Sequence, residues 1–262
     1  MLAYFTGTGN SLAVARTIAE VTRDEIYAMG SAPEEGAIEL VLGPDEALGF
    51  IFPVYRWTTP PLVDQFVARM RLVDESASPV RPAYCFAVAT YGYFPGSELR
   101  HFERSLQQTH GLALDASFHV RANANCIYVS NPPKAEAAAR RNEEMHRAAI
   151  SVAHAVADRR RTAVDAGAPL GRLISKATGS ADKERGTRLF NVLADRCIGC
   201  GTCARACPTG SVFMESGEPR WSGSQCTECL ACIHRCPTEA SQYGTISLKR
   251  RRYVHPALTP SL

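Results

Sequence analysis

The sequence predicts an α/β protein, a doubly wound parallel sheet, followed by a small cysteine-bearing domain. Three observations predict it. Short apolar runs alternate with stretches of helical spacing through the first 160 residues. A Thr/Gly-rich turn, Thr6-Gly7-Thr8-Gly9-Asn10-Ser11, stands between the first apolar run and the first helical stretch. Eight of the ten cysteines fall between Cys197 and Cys236.

The elements follow in order. Residues 2–5 form a short apolar strand, and 11–21 carry Ala, Val and Ile at helical spacing. Residues 25–29 are a weak strand on composition alone, placed where a doubly wound sheet needs its next strand. The run 47–52 is a strand and 62–70 a helix; 83–89 is a strand and 97–108 a helix. An extended stretch ends at Val129. Pro132 and Pro133 then open a long helix to about residue 160, since a proline in the first turn forfeits no intrahelical bond.

Composition narrows the classes. Hydrophobic content of 45%, charged content of 21% and a net charge of +3 are those of an ordinary globular protein, and they argue for neither a nucleic-acid nor a membrane partner. The apolar run 48–54 is short and broken by Gly49 and Pro53, too little to cross a bilayer. No secretory leader is read at the N-terminus, so the expected compartment is the cytoplasm. A dense cysteine block in a reducing compartment reads as metal-binding or catalytic.

The expected organisation is a domain over 1–160, a linker or docking segment over 161–188, and a cysteine domain over 189–262. The middle segment holds Gly167, Gly171, Gly179 and Gly186 with scattered basic residues and a weak helical stretch at 170–176. It is read as a solvated linker, with an acidic redox partner as the alternative. Lys249-Arg250-Arg251-Arg252 is likewise read as a solvated end, the alternatives being an acidic ferredoxin or nucleic acid. Cys85 and Cys126 are expected as small buried hydrophobes, and His101, His146 and His154 as helix-surface residues.

The cysteines repeat. Cys197, Cys200, Cys203 and Cys207 recur 29 positions later as Cys226, Cys229, Cys232 and Cys236, each set followed by Pro-Thr. Three closely spaced thiolates can wrap one face of a cubane, and Gly199 and Gly201 let the backbone approach. Structural zinc is the competing reading, but zinc modules usually set two cysteine pairs apart instead of four cysteines in one run. Each half resembles the C-x2-C-x2-C-x3-C-P run of two-cluster bacterial ferredoxins, small α+β domains in which the fourth cysteine serves the other cluster. That resemblance implies two 4Fe–4S clusters. One is held by Cys197, Cys200, Cys203 and Cys236, the other by Cys226, Cys229, Cys232 and Cys207.

The turn at 6–11 offers backbone N–H groups and a helix N-terminus to an anion, with hydroxyls from Thr6, Thr8 and Ser11. It lacks the Gly-Lys-Ser/Thr ending of a Walker loop. A bare tight turn is the plainer alternative. Here the chain resembles the flavodoxins, which implies FMN with its phosphate on Thr6, Gly7, Thr8, Gly9, Asn10 and Ser11. Two further loops fall where that family meets the flavin ring. The first contributes Pro53, Val54, Tyr55 and Trp57; the second contributes Thr90, Tyr91 and Gly92, with Tyr93 beside them. Trp57 and Tyr91 are the first choices for stacking, and Asn123, Asn125 and the Asn131-Pro132 turn make a third wall. Arg56 near flavin N1 would favour the anionic reduced form.

Together the two resemblances match flavodoxin–ferredoxin fusion proteins of anaerobic bacteria and archaea. They imply an electron-transfer iron–sulfur flavoprotein serving a redox protein partner or a small oxidant. No acid–base or nucleophile set and no G-x-G-x-x-G fingerprint appears, so neither a catalytic residue nor direct NAD(P)H use is expected. The alternative is an iron–sulfur sensor of oxygen or redox state that binds without turnover.

Overall fold

The computed structural model describes residues 1–33, 35–179, 186–223 and 226–258. In chain order the first part holds β1 (Leu2–Tyr4), α1 (Asn10–Thr22), β2 (Ile26–Ala28), β3 (Ile38–Val41), β4 (Ala47–Pro53) and α2 (Pro61–Arg69). It continues with β5 (Met70–Val73), β6 (Tyr84–Tyr91), α3 (Glu98–His110), β7 (Ala116–Arg121), α4 (Ala135–Ala157) and α5 (Pro169–Gly179). The second part holds β8 (Phe190–Val192), α6 (Thr202–Arg205), β9 (Val212–Glu215), β10 (Glu218–Trp221), α7 (Ala231–His234) and β11 (Ser241–Tyr243).

Five strands form one sheet in the order β2-β1-β4-β6-β7, every pairing parallel. Numbered within the sheet this is 2-1-3-4-5, the flavodoxin-like order, whose switch point lies between β1 and β4. Phe50 and Phe52 face α2 and α3, while Ile51 faces α1 and α4, so both sides of the sheet are covered. Period-two alternation under two helical layers explains why β4 and β6 are apolar throughout. A separate parallel pair, β3–β5, lies outside this sheet and was not expected. The fifth strand ends at Arg121, well before the Val129 expected from sequence; residues 122–129 are a loop.

The second part is two antiparallel pairs, β8–β11 and β9–β10, around two short helices 29 residues apart. Its core of Phe190, Cys203, Val212, Cys232 and Ile233 takes in Ile127 from the first part. Conversely, Ala206, Cys229 and Ala231 join the core under α2 and α3. The two parts share their apolar cores.

Two segments read as solvated are packed. Thr162 N donates to Asp115 O at 3.0 Å, and Ser117 N donates to Thr162 Oγ1 at 3.0 Å, which lays residues 162–165 along β7. A Cβ on Gly167 would sit 1.5 Å from Gly96 O and one on Gly171 2.0 Å from Pro95 O, so glycine is what permits this approach. Residues 180–185 of the expected linker lie outside the described residues. The basic end is packed too: Arg251 donates from N to Asn131 Oδ1 and from Nε to Pro132 O, and Tyr253 is buried. Backbone polar groups far away in sequence hold both segments, which local composition does not reveal. Among the described residues, no helix is long and apolar enough to cross a membrane.

Candidate functional site

A cleft of about 960 Å³, counted out to its open mouth, lies over the carboxyl ends of β1, β4, β6 and β7. This is the crevice at the switch point of an open α/β sheet. Thr6, Gly7, Thr8, Asn10 and Ser11 line it, as do Pro53, Val54, Tyr55 and Trp57, and Thr90, Tyr91 and Gly92. The structure thus brings together all but one of the residues expected in the phosphate turn and the two ring loops. The exception, Gly9, caps α1 at φ 99° and packs under the C-terminal segment, where a Cβ would lie 2.9 Å from His255 Cβ.

The donor set suits an anion. Thr6 Oγ1 accepts from Gly9 N at 2.9 Å and Thr8 Oγ1 accepts from Asn125 Nδ2 at 2.9 Å. Each hydroxyl is used as an acceptor, so its own hydrogen stays available to a phosphate. The 13-residue helix α1 begins at this loop with its N-terminal dipole. Ser11 Oγ is bonded to Thr90 Oγ1 at 2.8 Å, tying the first loop to the third.

The aromatic walls differ from the simplest expectation. Trp57 stacks on Phe94 with ring centroids 5.5 Å apart, so one face of the indole is already covered. Tyr91 meets His119 edge-on at 5.8 Å. Asn123 and Asn125 do line the cleft, but Asn131 and Pro132 instead hold Arg251. Arg56 lines the cleft with its charge paired, its Nη2 2.7 Å from Glu228 Oε2, so it is not a free cation for a flavin.

Several participants were invisible in sequence. His119 bridges Glu98 Oε1 at 2.7 Å and Asp165 Oδ2 at 2.9 Å. Burial alone would lower its pKa, but these two carboxylates outweigh burial and hold it above the ordinary value. The single hydrogen of Tyr253 OH is shared between Asn10 Oδ1 at 2.7 Å and Asn142 Oδ1 at 2.9 Å. His255 N donates to Thr8 O at 2.8 Å. An aromatic residue inside a basic tail, Tyr253, was the only local hint.

The cysteines gather into two cradles. Cys197, Cys200, Cys203 and Cys236 line one small cavity, with Cys200 exposed. Cys207, Cys226, Cys229 and Cys232 lie close enough to act on one another electrostatically. Among the described residues, no three His, Cys, Asp or Glu side chains converge on a point that would hold a single ion. Burial pushes the Cys229 thiol up to about 12, with the neighbouring Cys207 and Cys226 adding to it. A thiolate there needs a cationic partner, which iron supplies. Ala240 N donates to Cys236 Sγ at 3.2 Å and Glu228 N to Cys226 Sγ at 3.4 Å, the amide–sulfur bonds that tune such clusters.

The second cradle abuts the cleft. A Cβ on Gly7 would lie 2.7 Å from Cys229 O and 3.1 Å from Cys229 Cβ, so the first cleft loop and the cysteine loop pack backbone to backbone. Glu228 and Leu230, either side of Cys229, themselves line the cleft. The first cradle faces outward, with Ile198 67% exposed beside it.

Residues 190–237 match the 4Fe-4S dicluster domain family. An uncharacterized ferredoxin of Methanocaldococcus jannaschii, MJ0722, is 31% identical over 61 residues, 22% of this chain and 79% of its own length. Escherichia coli YsaA, provisionally named an electron transport protein, is 38% identical over 53 residues, 18% of this chain. That match spans only 34% of YsaA. A flavodoxin from the domain Archaea has 12% identity and a TM-score of 0.34, over 59% of this chain and 96% of its own. The flavodoxin-like fold is established by the strand order of the sheet, independently of that likeness. Through its C-terminal module the chain belongs to the 4Fe–4S dicluster ferredoxins, and as a whole it joins that module to a flavodoxin-like fold.

Proposed function

We propose that the chain is an electron-transfer iron–sulfur flavoprotein, with FMN in the cleft and a 4Fe–4S cluster in each cradle. One observation carries the reading: Gly7 of the cleft's first loop and Cys229 of the inner cradle are in contact. FMN exchanges electrons singly or in pairs and each cluster exchanges one, so together they would interconvert the two kinds of redox chemistry.

The chain's own residues supply the arrangement. Thr6, Thr8 and the start of α1 hold the phosphate end, while Trp57 and Tyr91 bound the ring end. Arg56 and Glu228 neutralise each other where the two parts meet. Cys207, Cys226, Cys229 and Cys232 form the inner cradle; Cys197, Cys200, Cys203 and Cys236 form the outer one, open to a redox protein or small oxidant beside Ile198. Thiols kept reduced suit a cytoplasmic setting.

Cofactor analysis of the full chain, purified without oxygen, tests this. The reading expects one FMN with about eight irons and eight sulfides per chain. Zinc without sulfide overturns the clusters. Iron and sulfide without flavin, even after FMN is added, overturns the cleft assignment.

A further inference from the structure

Tyr55 presents its ring to the cleft, yet its hydroxyl is shut off from solvent and has no hydrogen-bond partner. An orphaned buried hydroxyl is unfavourable, so its position calls for a reason. A hydroxyl directed into an open-mouthed cleft would be wetted. This one is dry, covered on the side of the Gly7 turn.

What lies on that side is the inner cradle. A Cβ on Gly7 would be 2.7 Å from the Tyr55 hydroxyl oxygen and 2.7 Å from Cys229 O, so the hydroxyl and the Cys229 backbone flank the same glycine. The Phe5 ring holds Tyr55 edge-on at 6.0 Å. Cys229, Tyr128 and Cys126 are the titratable groups that act on it. Tyr128 and Cys126 are engaged with each other, and the remaining neighbour, Cys229, belongs to the inner cradle.

We propose that Tyr55 donates its hydroxyl hydrogen to a sulfur of the cluster held by Cys207, Cys226, Cys229 and Cys232. It is a positioning residue that joins the flavin wall to the inner cluster and raises that cluster's potential. The inference rests on the cofactor assignment proposed above. A hydrogen bond to cluster sulfur favours the more negative, reduced state, which is how such bonds set potential. A tyrosine at this place therefore biases electrons toward the inner cluster, next to the flavin.

The test is a redox titration of the full chain, purified without oxygen and followed by electron paramagnetic resonance, for wild type, Tyr55→Phe and Thr202→Val. Thr202 Oγ1 lies 3.4 Å from Cys200 Sγ and marks the outer cluster. Y55F keeps the ring and removes the donor. In Y55F one cluster couple is expected to become harder to reduce by about tenfold, ~59 mV for one electron. The flavin couple and the couple that T202V moves should stay in place. Unchanged cluster couples overturn the proposal. So does a shift confined to the flavin, which would make the flavin the acceptor, or a shift in the same couple that T202V moves. Iron and sulfide assays on the wild type come first: their absence fails the cofactor assignment itself, independently of Tyr55.

Discussion

Glu228 occupies in the second cysteine loop the backbone position that Gly199 occupies in the first, 29 residues earlier, and both have positive φ, 52° and 66°. The correspondence continues. Leu230 at 60° matches Gly201 at 69°, and Glu239 at 52° matches Gly210 at 62°. A left-handed conformation costs a non-glycine residue about 1–2 kcal/mol, so the second loop carries strain that the first avoids. Two of the three side chains repay it at the cleft: Glu228 pairs with Arg56, and Leu230 forms part of the wall. The repeat has kept its shape while one copy turned inward and the other stayed exposed.

The Arg56–Glu228 pair should be strongly asymmetric. The Glu228 side chain is only 5% exposed, against 35% for Arg56. Arg56→Met leaves a buried carboxylate without its cation and should cost about 1–3 kcal/mol. The double variant R56M/E228Q should recover much of that loss in urea unfolding. Equal losses in the single and double variants would show that the unpaired Glu228 carboxylate carries no penalty of its own.

Ligand exchange between the repeats predicts crossed phenotypes. Cys236→Ser should remove the same paramagnetic signal as Cys197→Ser, and Cys207→Ser the same one as Cys226→Ser. Pairing by sequence block instead, with Cys207 grouped with Cys197, would contradict the shared cavity of Cys197 and Cys236.

Two histidines give opposite pH dependences. His119 stands above 6.5, since Glu98 and Asp165 outweigh burial. Its contribution to stability is complete below about pH 6.5 and is lost as pH rises through the folded value. The deficit of His119→Gln should therefore shrink in alkaline buffer. His234 behaves in the opposite way. Burial pushes it from 6.5 down to about 4, and as a neutral ring it donates from Nε2 to Asn125 O. Its contribution is present above about pH 6.5 and is lost as pH falls toward 4, an effect on the order of 3 kcal/mol. Urea unfolding from pH 4.5 to 9 should show a steeper acid limb for wild type than for His234→Gln.

Gly7→Ala tests the contact between cleft and cradle. The added methyl meets Cys229 O and the Tyr55 hydroxyl at 2.7 Å. Overpacking of this kind costs about 1–3 kcal/mol. FMN affinity should fall by roughly tenfold or more, and flavin-to-cluster transfer in stopped flow should slow. Unchanged binding and transfer would show that the two loops move independently.

Much of this was legible because it depended on local pattern. Strands β4 and β6 are apolar on both faces, so Phe50 to Phe52 announce a covered sheet. The cysteine spacing and the Thr6–Ser11 turn are contiguous motifs with direct chemical meaning. β5 was missed because Met70, its first residue, directly follows α2 as its C-cap, so the helical spacing runs straight into the strand. His119 was missed because its partners, Glu98 and Asp165, come from separate elements. The packed segments at 162–171 and 251–258 have no periodicity of their own. Their order comes from Asp115, Ser117, Gly96, Thr8 and Asn10, all far away along the chain.

The bond between Tyr253 and Asn10 spans 243 residues, and both cysteine loops lie between its ends. Loop closure on that scale is entropically costly and late in folding. A ribosome must therefore deliver every cysteine before the residue that secures Asn10 emerges. The Thr6–Ser11 turn is completed last, after the chain of both cysteine loops has been made. On the proposed assignment, every cluster ligand is synthesised before the cleft loop can be secured.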